Sequence, residues 1–207
     1  MSTILAEIEQ LVREEGVREI VLLGQNVNGF HDTSAHSALL YPLSEYKASS
    51  SGFTNLFQSR NRQKPGARFS DLLVSVASIS PDLRVRFTSP HPKDFPEDVL
   101  AAVSGYPNIC ASLHLPVQSG SNSVLQRMRR GYTREAFLAL VSSARRAIPN
   151  LKISTDIIAG FCGETEEEHQ DSLRLMEEVC VDPVRCSNID SHSDAHNDAH
   201  NDSYNAA

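Results

Sequence analysis

Four short apolar runs, 19–23, 84–88, 112–117 and 152–158, alternate along this chain with segments of helical period. Each run is β-branched or leucine-rich and closes on a glycine or proline cluster, which is how a buried strand reads. Strands that alternate with helices predict a parallel sheet, because each return to the next strand must cross over a helix. The helical faces are Ile4, Leu5, Ile8, Leu11 and Val12, closed by Gly16; Phe69, Leu72, Leu73 and Val76; then Val99, Leu100 and Val103 behind an Asp94 cap, with Pro96 in the first turn. Ser121 or Ser123 caps a short helix through Leu125 and Met128. Thr133 caps one carrying Phe137, Leu140, Val141, Ala144 and Ile148. A Thr165–Glu168 capping box opens the last helix, with Leu173, Met176 and Val179 on its buried face. The series starts on a helix that should follow a strand and ends on one that should feed a strand. The fold class expected is therefore α/β: a partial TIM-like (β/α) barrel with parallel strands, incomplete at both ends.

Two stretches break the alternation. Residues 31–66 are rich in Ser, Asn and Gly without period and read as an inserted flexible loop within a core of residues 1–180. Residues 181–207 lose apolar content and read as a low-complexity disordered tail, repeating His192-Ser193-Asp194-Ala195, His196-Asn197-Asp198-Ala199 and His200-Asn201-Asp202-Ser203. His192, His196 and His200 would share a helix face at metal-ligand spacing, but the tract is poor in helix formers and no metal is assigned to it. At 40% apolar content there is material for one globular core. A net charge of −7 argues against broad electrostatic binding of nucleic acid, though not against a local basic face. There is no 18-residue apolar run, so no membrane partner is expected. No signal peptide or presequence is legible after Met1. Cys110, Cys162, Cys180 and Cys186 share no C-x-x-C spacing, so reduced thiols in an intracellular compartment are expected.

In parallel β/α proteins ligands sit at the carboxyl ends of the strands. Those ends here are small and polar: Gly24-Gln25-Asn26-Val27-Asn28, Thr88-Ser89-Pro90-His91-Pro92, Pro116-Val117-Gln118-Ser119-Gly120-Ser121 and Ala159-Gly160-Phe161-Cys162-Gly163-Glu164-Thr165. Any one loop is ordinary turn and cap chemistry. Four on one rim suggest a site that holds a polar cofactor. No nucleophile–base pair is legible, and no catalytic residue is assigned. His91, between two prolines, is the histidine placed nearest substrate, whereas His114 reads as structural. Arg127, Arg129, Arg130, Arg134, Arg145 and Arg146 face only Glu135 among acids in their stretch, which suits either an RNA backbone or a solvated helix pair.

Leu23-Gly24-Gln25-Asn26-Val27-Asn28, Arg86-Phe87-Thr88-Ser89-Pro90-His91-Pro92, His114-Leu115-Pro116-Val117-Gln118-Ser119-Gly120-Ser121, Met128-Arg129-Arg130-Gly131-Tyr132-Thr133-Arg134-Glu135 and Asp156 to Thr165 jointly resemble the radical-SAM core of the tRNA methylthiotransferase family. The 31–66 insertion, Lys93-Asp94-Phe95-Pro96 and Cys162 in place of the more usual proline are most similar to its eukaryotic branch, named for association with an activator of a cyclin-dependent kinase. The resemblance implies S-adenosylmethionine and a [4Fe–4S] cluster as cofactors, and tRNA as partner, methylthiolated on an isopentenylated adenosine beside the anticodon. It implies that Gln25 and Asn26 hold the cofactor's amino group, that Gln118 and Ser119 contact its ribose, and that Ile158, Gly160 and Glu164 back its adenine. Substrate contacts fall to His91, Arg129 and Arg130. The family's cluster-binding C-x-x-x-C-x-x-C run is not among these residues, so the chain is expected to be a fragment, inactive alone. The other expectation is a short isoform acting as an interaction or regulatory module, with the kinase activator as a possible partner. The family is mitochondrial or cytoplasmic.

Overall fold

The computed structural model describes residues 1–42, 64–88, 90–92, 95–179 and, as backbone, 184–188. The chain opens with α1 (Ser2–Glu14) and β1 (Glu19–Leu22). A short η1 turn (Val27–Gly29), β2 (His31–Asp32) and α2 (Ala35–Leu40) follow, then β3 (Ala67–Arg68) and α3 (Phe69–Ala77). The remainder runs β4 (Arg84–Phe87), α4 (Glu97–Gly105), β5 (Ser112–His114), α5 (Asn122–Arg127), α6 (Arg134–Ala147), β6 (Lys152–Ala159), α7 (Glu166–Val179) and β7 (Val184–Asn188).

All four strands expected from sequence form, and in parallel. β1 pairs with β4, β5 with β6, and β6 with β7. A bridge from Val85 to Ile109 links the two ladders, giving the order β1-β4-β5-β6-β7. Successive parallel strands lie side by side, and among the described residues no ladder joins β1 to β7, so the α/β class and the parallel pairing that the alternation predicts are present as an open sheet. β7 lies within the 181–207 stretch read as tail: its backbone pairs Thr155 with Val184 through Ala159 with Asn188. The low-complexity reading missed it because five residues suffice for a strand once a neighbouring edge supplies the hydrogen bonds. The ends of the 31–66 segment also carry structure. β2 pairs antiparallel with β3, Ser34 caps α2, and the Ser37 hydroxyl accepts from the Ala67 amide at 3.0 Å. Residues 43–63, Asp94, Cys180 and the histidine repeat lie outside the described residues.

Alternation sets the layers. Val85, Phe87, Leu113, Ile153 and Ile157 are buried in one core with Phe69, Leu73, Val99, Phe137 and Leu140 of the helices. Phe69 meets Phe87 edge-on at 5.2 Å. The other strand face is mixed: Glu19 pairs with Arg86 at 3.2 Å and His114 sits between Ser154 and Asp156, while Val21 stands 52% exposed beside them and Leu23 78% exposed just past β1. Where the β5–β6 ladder thins, Thr155 stitches it, its hydroxyl donating to the Leu115 carbonyl at 2.7 Å and accepting from the Val117 amide at 3.0 Å. Asn108 anchors the opposite end, its amide donating to the Ala77, Ser80 and Leu83 carbonyls at 2.8–3.1 Å.

The last helix turns a different face inward than its apolar period suggests. Ser172, Leu175 and Val179 are buried, while Leu173 and Met176 are only half-buried. The cause is Gly120, where a Cβ would stand 2.4 Å from the Asp171 carbonyl oxygen and 2.6 Å from Ser172 Cα. Backbone meets backbone there, and Ser172 seals the contact by accepting from the Gly120 amide at 2.9 Å. The expected capping box is present, with the Thr165 amide donating to Glu168 at 2.9 Å. Glu168 also takes a fork from Arg127 at 2.9 and 2.7 Å and the hydroxyl of Ser123, clasping α5 to α7.

Two outcomes follow from this packing. Gly120→Ala is expected to cost about 1–3 kcal/mol or more, read as a lower urea midpoint, because a methyl group must displace α7 backbone. The Arg127 fork, with the Ser123 hydroxyl and the Thr165 amide, holds the Glu168 carboxyl down at about 2. A depressed folded-state value contributes stability above the ordinary carboxyl range and loses it as pH falls toward 2. The thermal-midpoint gap between wild type and Glu168→Gln should therefore be full at neutral pH and shrink between about pH 4.5 and 2.

Candidate functional site

Because the paired strands are parallel, their carboxyl ends share one rim, and hydrogen bonds and ring contacts join the rim loops in series. From the loop after β1, the Asn28 side chain accepts from the His91 amide at 2.8 Å and donates to the His91 carbonyl at 3.0 Å. The His91 ring meets the Tyr132 ring edge-on at 6.1 Å, and Arg130 lies over that ring at 6.0 Å. The Tyr132 hydroxyl reaches the Pro116 and Val117 carbonyls, each at 3.1 Å. Burial pushes this phenol above its ordinary value, so it keeps the proton it donates. Next in line is Gln118, which donates to the Asp156 carbonyl at 2.8 Å and accepts from the Ile158 amide at 2.9 Å.

The residues expected in the site fall unevenly along this line. Gln25 and Asn26 are exposed just past β1, and Asn26 begins the η1 turn. Gln118 is half-buried at φ +74°, a left-handed conformation that costs a non-glycine residue about 1 kcal/mol or more. Ile158 is half-buried at the end of β6. Gly160 adopts φ +75°, and its amide donates to Glu164 Oε2 at 2.6 Å. That bond leaves Glu164 Oε1 buried without a partner. Arg129 is exposed on the turn after α5, at φ +55°, and Arg130 stands beside it against Tyr132.

Ser119 sits elsewhere. It is 0% exposed, and its hydroxyl contacts Ser172 at 3.3 Å and accepts from the Ser121 amide at 3.1 Å, so it serves the α7 contact rather than the open rim. Nor are the six arginines one free face. Arg127 is bound to Glu168, Arg134 pairs with Glu178 at 2.7 Å, and Arg145 donates to the Val179 carbonyl at 2.6 Å.

The sequence reading missed one constellation. His114 Nδ1 lies 2.9 Å from Ser154 Oγ, and its Nε2 lies 3.1 Å from Asp156 Oδ2. A carboxylate only accepts, so Nε2 carries a proton. Asp156 Oδ1 is buried and unpartnered. The period-two placement of Ser154 and Asp156 on one strand was the available signal, and the β5–β6 register supplied the rest.

These groups fit a polar cofactor. Glu164 Oε1 is a carboxylate acceptor with no protein donor, and Gly160 brings backbone close to it without a side chain. They do not fit an iron–sulfur cluster. Cys110 precedes β5 while Cys162 follows β6, on the order of 20 Å apart along parallel strands. Among the described residues, no three His, Cys, Asp or Glu side chains converge as metal ligands do.

Comparison with known proteins bears on the rim. The chain is 49% identical over 183 residues to the mitochondrial tRNA methylthiotransferase CDK5RAP1 of Rattus norvegicus, covering 86% of this chain and 29% of that protein. It is 42% identical over 181 residues to tRNA-2-methylthio-N(6)-dimethylallyladenosine synthase of Chlorobium chlorochromatii, covering 87% of this chain and 33% of that one. The chain thus spans about a third or less of these relatives. Coproporphyrinogen III oxidase from Escherichia coli, a radical SAM enzyme, aligns with a TM-score of 0.47 at 21% identity over 57% of this chain and 27% of its own. The profile of the Radical SAM superfamily matches residues 1–176, and the chain belongs to that superfamily.

Proposed function

We propose that this chain is the cofactor- and tRNA-facing part of a radical-SAM tRNA methylthiotransferase that acts on an isopentenylated adenosine beside the anticodon. The observation carrying this reading is the 49% identity over 183 residues to a tRNA methylthiotransferase, in a chain whose superfamily match spans residues 1–176. S-adenosylmethionine, when bound, supplies the carbon radical on which such enzymes depend. Gln25 and Asn26 take its amino group and Gln118 its ribose, while Ile158, Gly160 and Glu164 back its adenine. Ser119 supports that loop from behind. His91, Arg129 and Arg130 meet the RNA, with the two arginines supplying charge to phosphate. The four cysteines hold no C-x-x-x-C-x-x-C run, so this chain alone binds the cofactor without cleaving it. The compartment proposed is mitochondrial, as in the rat relative's name. The kinase-activator association rests on the family branch alone, and no surface is assigned to it.

Equilibrium dialysis with S-adenosylmethionine should give saturable binding that Glu164→Gln weakens about tenfold, the size of one lost charge-assisted hydrogen bond. Dithionite reduction should yield no 5′-deoxyadenosine, and a stoichiometric yield would refute the inactivity of this chain. Replacing Arg129 and Arg130 together by Gln should weaken tRNA binding and lower the slope of log affinity against log salt by about 2.

A further inference from the structure

Tyr132 has more contacts than a core aromatic needs. Its ring is 4% exposed, and a phenylalanine would fill the same space. The hydroxyl is held instead by two consecutive carbonyls, of Pro116 and Val117, each at 3.1 Å. Those peptides immediately precede Gln118, the left-handed residue at φ +74°. Gln118 then fixes Ile158 through its own carbonyl. Outward, the same phenol and ring touch two side chains from different loops: Arg130 Nε reaches the hydroxyl at 3.4 Å, and His91 meets the ring edge-on at 6.1 Å. His91 in turn is clamped by Asn28 through both its amide and its carbonyl.

We propose that Tyr132 is a positioning residue that couples the RNA-facing side of the rim to the loop cradling the cofactor's nucleoside. This rests on the reading above, in which His91 and Arg130 meet RNA and Gln118 meets the cofactor. When a phosphate or base engages Arg130 or His91, the load falls on the Tyr132 ring and hydroxyl. The hydroxyl is tied to the two peptides that set the Gln118 backbone, and strain at Gln118 makes that backbone sensitive to the loss of any restraint. A left-handed glutamine has competing right-handed conformations, and in this proposal the two ligands bias the loop between them. RNA binding then favours the cofactor-ready loop. By linkage, cofactor binding favours RNA to the same extent.

The test is thermodynamic. The dissociation constant of S-adenosylmethionine is measured by equilibrium dialysis, with and without a saturating anticodon stem–loop RNA carrying N6-isopentenyladenosine. In the wild-type chain the RNA should tighten cofactor binding about fivefold or more, the lower end of ordinary site–site coupling. In Tyr132→Phe, which keeps the ring and removes the hydroxyl, the ratio should fall to about one, with circular dichroism and thermal midpoint showing an intact fold. Arg130→Gln, which leaves the phenol and its carbonyl bonds in place, should lower the same ratio and covers the case of a misfolded Tyr132 variant. A wild-type ratio of one overturns the proposal, and so does an undiminished ratio in Tyr132→Phe or in a folded Arg130→Gln. If the wild type binds neither ligand, the methylthiotransferase reading fails and the coupling falls with it. If it binds both independently, only the coupling fails.

Discussion

Parallel pairing of the strands is the constraint on which the rest of the molecule depends. A parallel neighbour cannot be reached by a tight hairpin, so each strand is followed by a helix that returns the chain to the starting edge. The strands of the parallel ladders then all end on the same side. This is why Gln25, His91, Gln118 and Glu164, spread over 140 residues of sequence, share one rim. The helices take one sheet face, and the core formed with them leaves the other face free to be polar.

Much of that architecture was legible because it rests on periodicity. The short β-branched and leucine-rich runs closed by glycine or proline gave four of the parallel strands, and the period-3.6 runs gave their crossover helices. Caps were legible where one side chain meets one amide, as at Thr133 and Thr165. Features decided by contacts distant in sequence were not. The burial of Ser172 and Leu175 in place of Leu173 follows from the absence of a side chain at Gly120, fifty residues upstream, and no local pattern encodes it. β7 escaped for a related reason. A strand added at a sheet edge is specified partly by the edge, so its own composition need not announce it.

For the candidate site, the strand alternation already implied that the four loops share one rim, but burial decides what each side chain there can reach. Ser119 and Gln118 are adjacent, yet one is sealed under α7 while the other stands at the rim in a strained conformation. The arginines make the same point with charge. Arg127, Arg134 and Arg145 are committed to α7, so the positive charge left for a polyanion near the rim is carried by Arg129 and Arg130. A count of cations would have more than doubled the apparent field.

The strand face away from the helices has a further consequence for assembly. Glu19 with Arg86, and His114 with Ser154 and Asp156, satisfy much of their bonding within the sheet. Paired groups of this kind incur little penalty while they face water, unlike the leucine-rich helix side, which must be covered for the chain to fold. The helix side is therefore buried by the chain's own packing, whereas the strand face, with exposed Val21 and Leu23 beside its ion pairs, still has apolar surface that cover would remove from water.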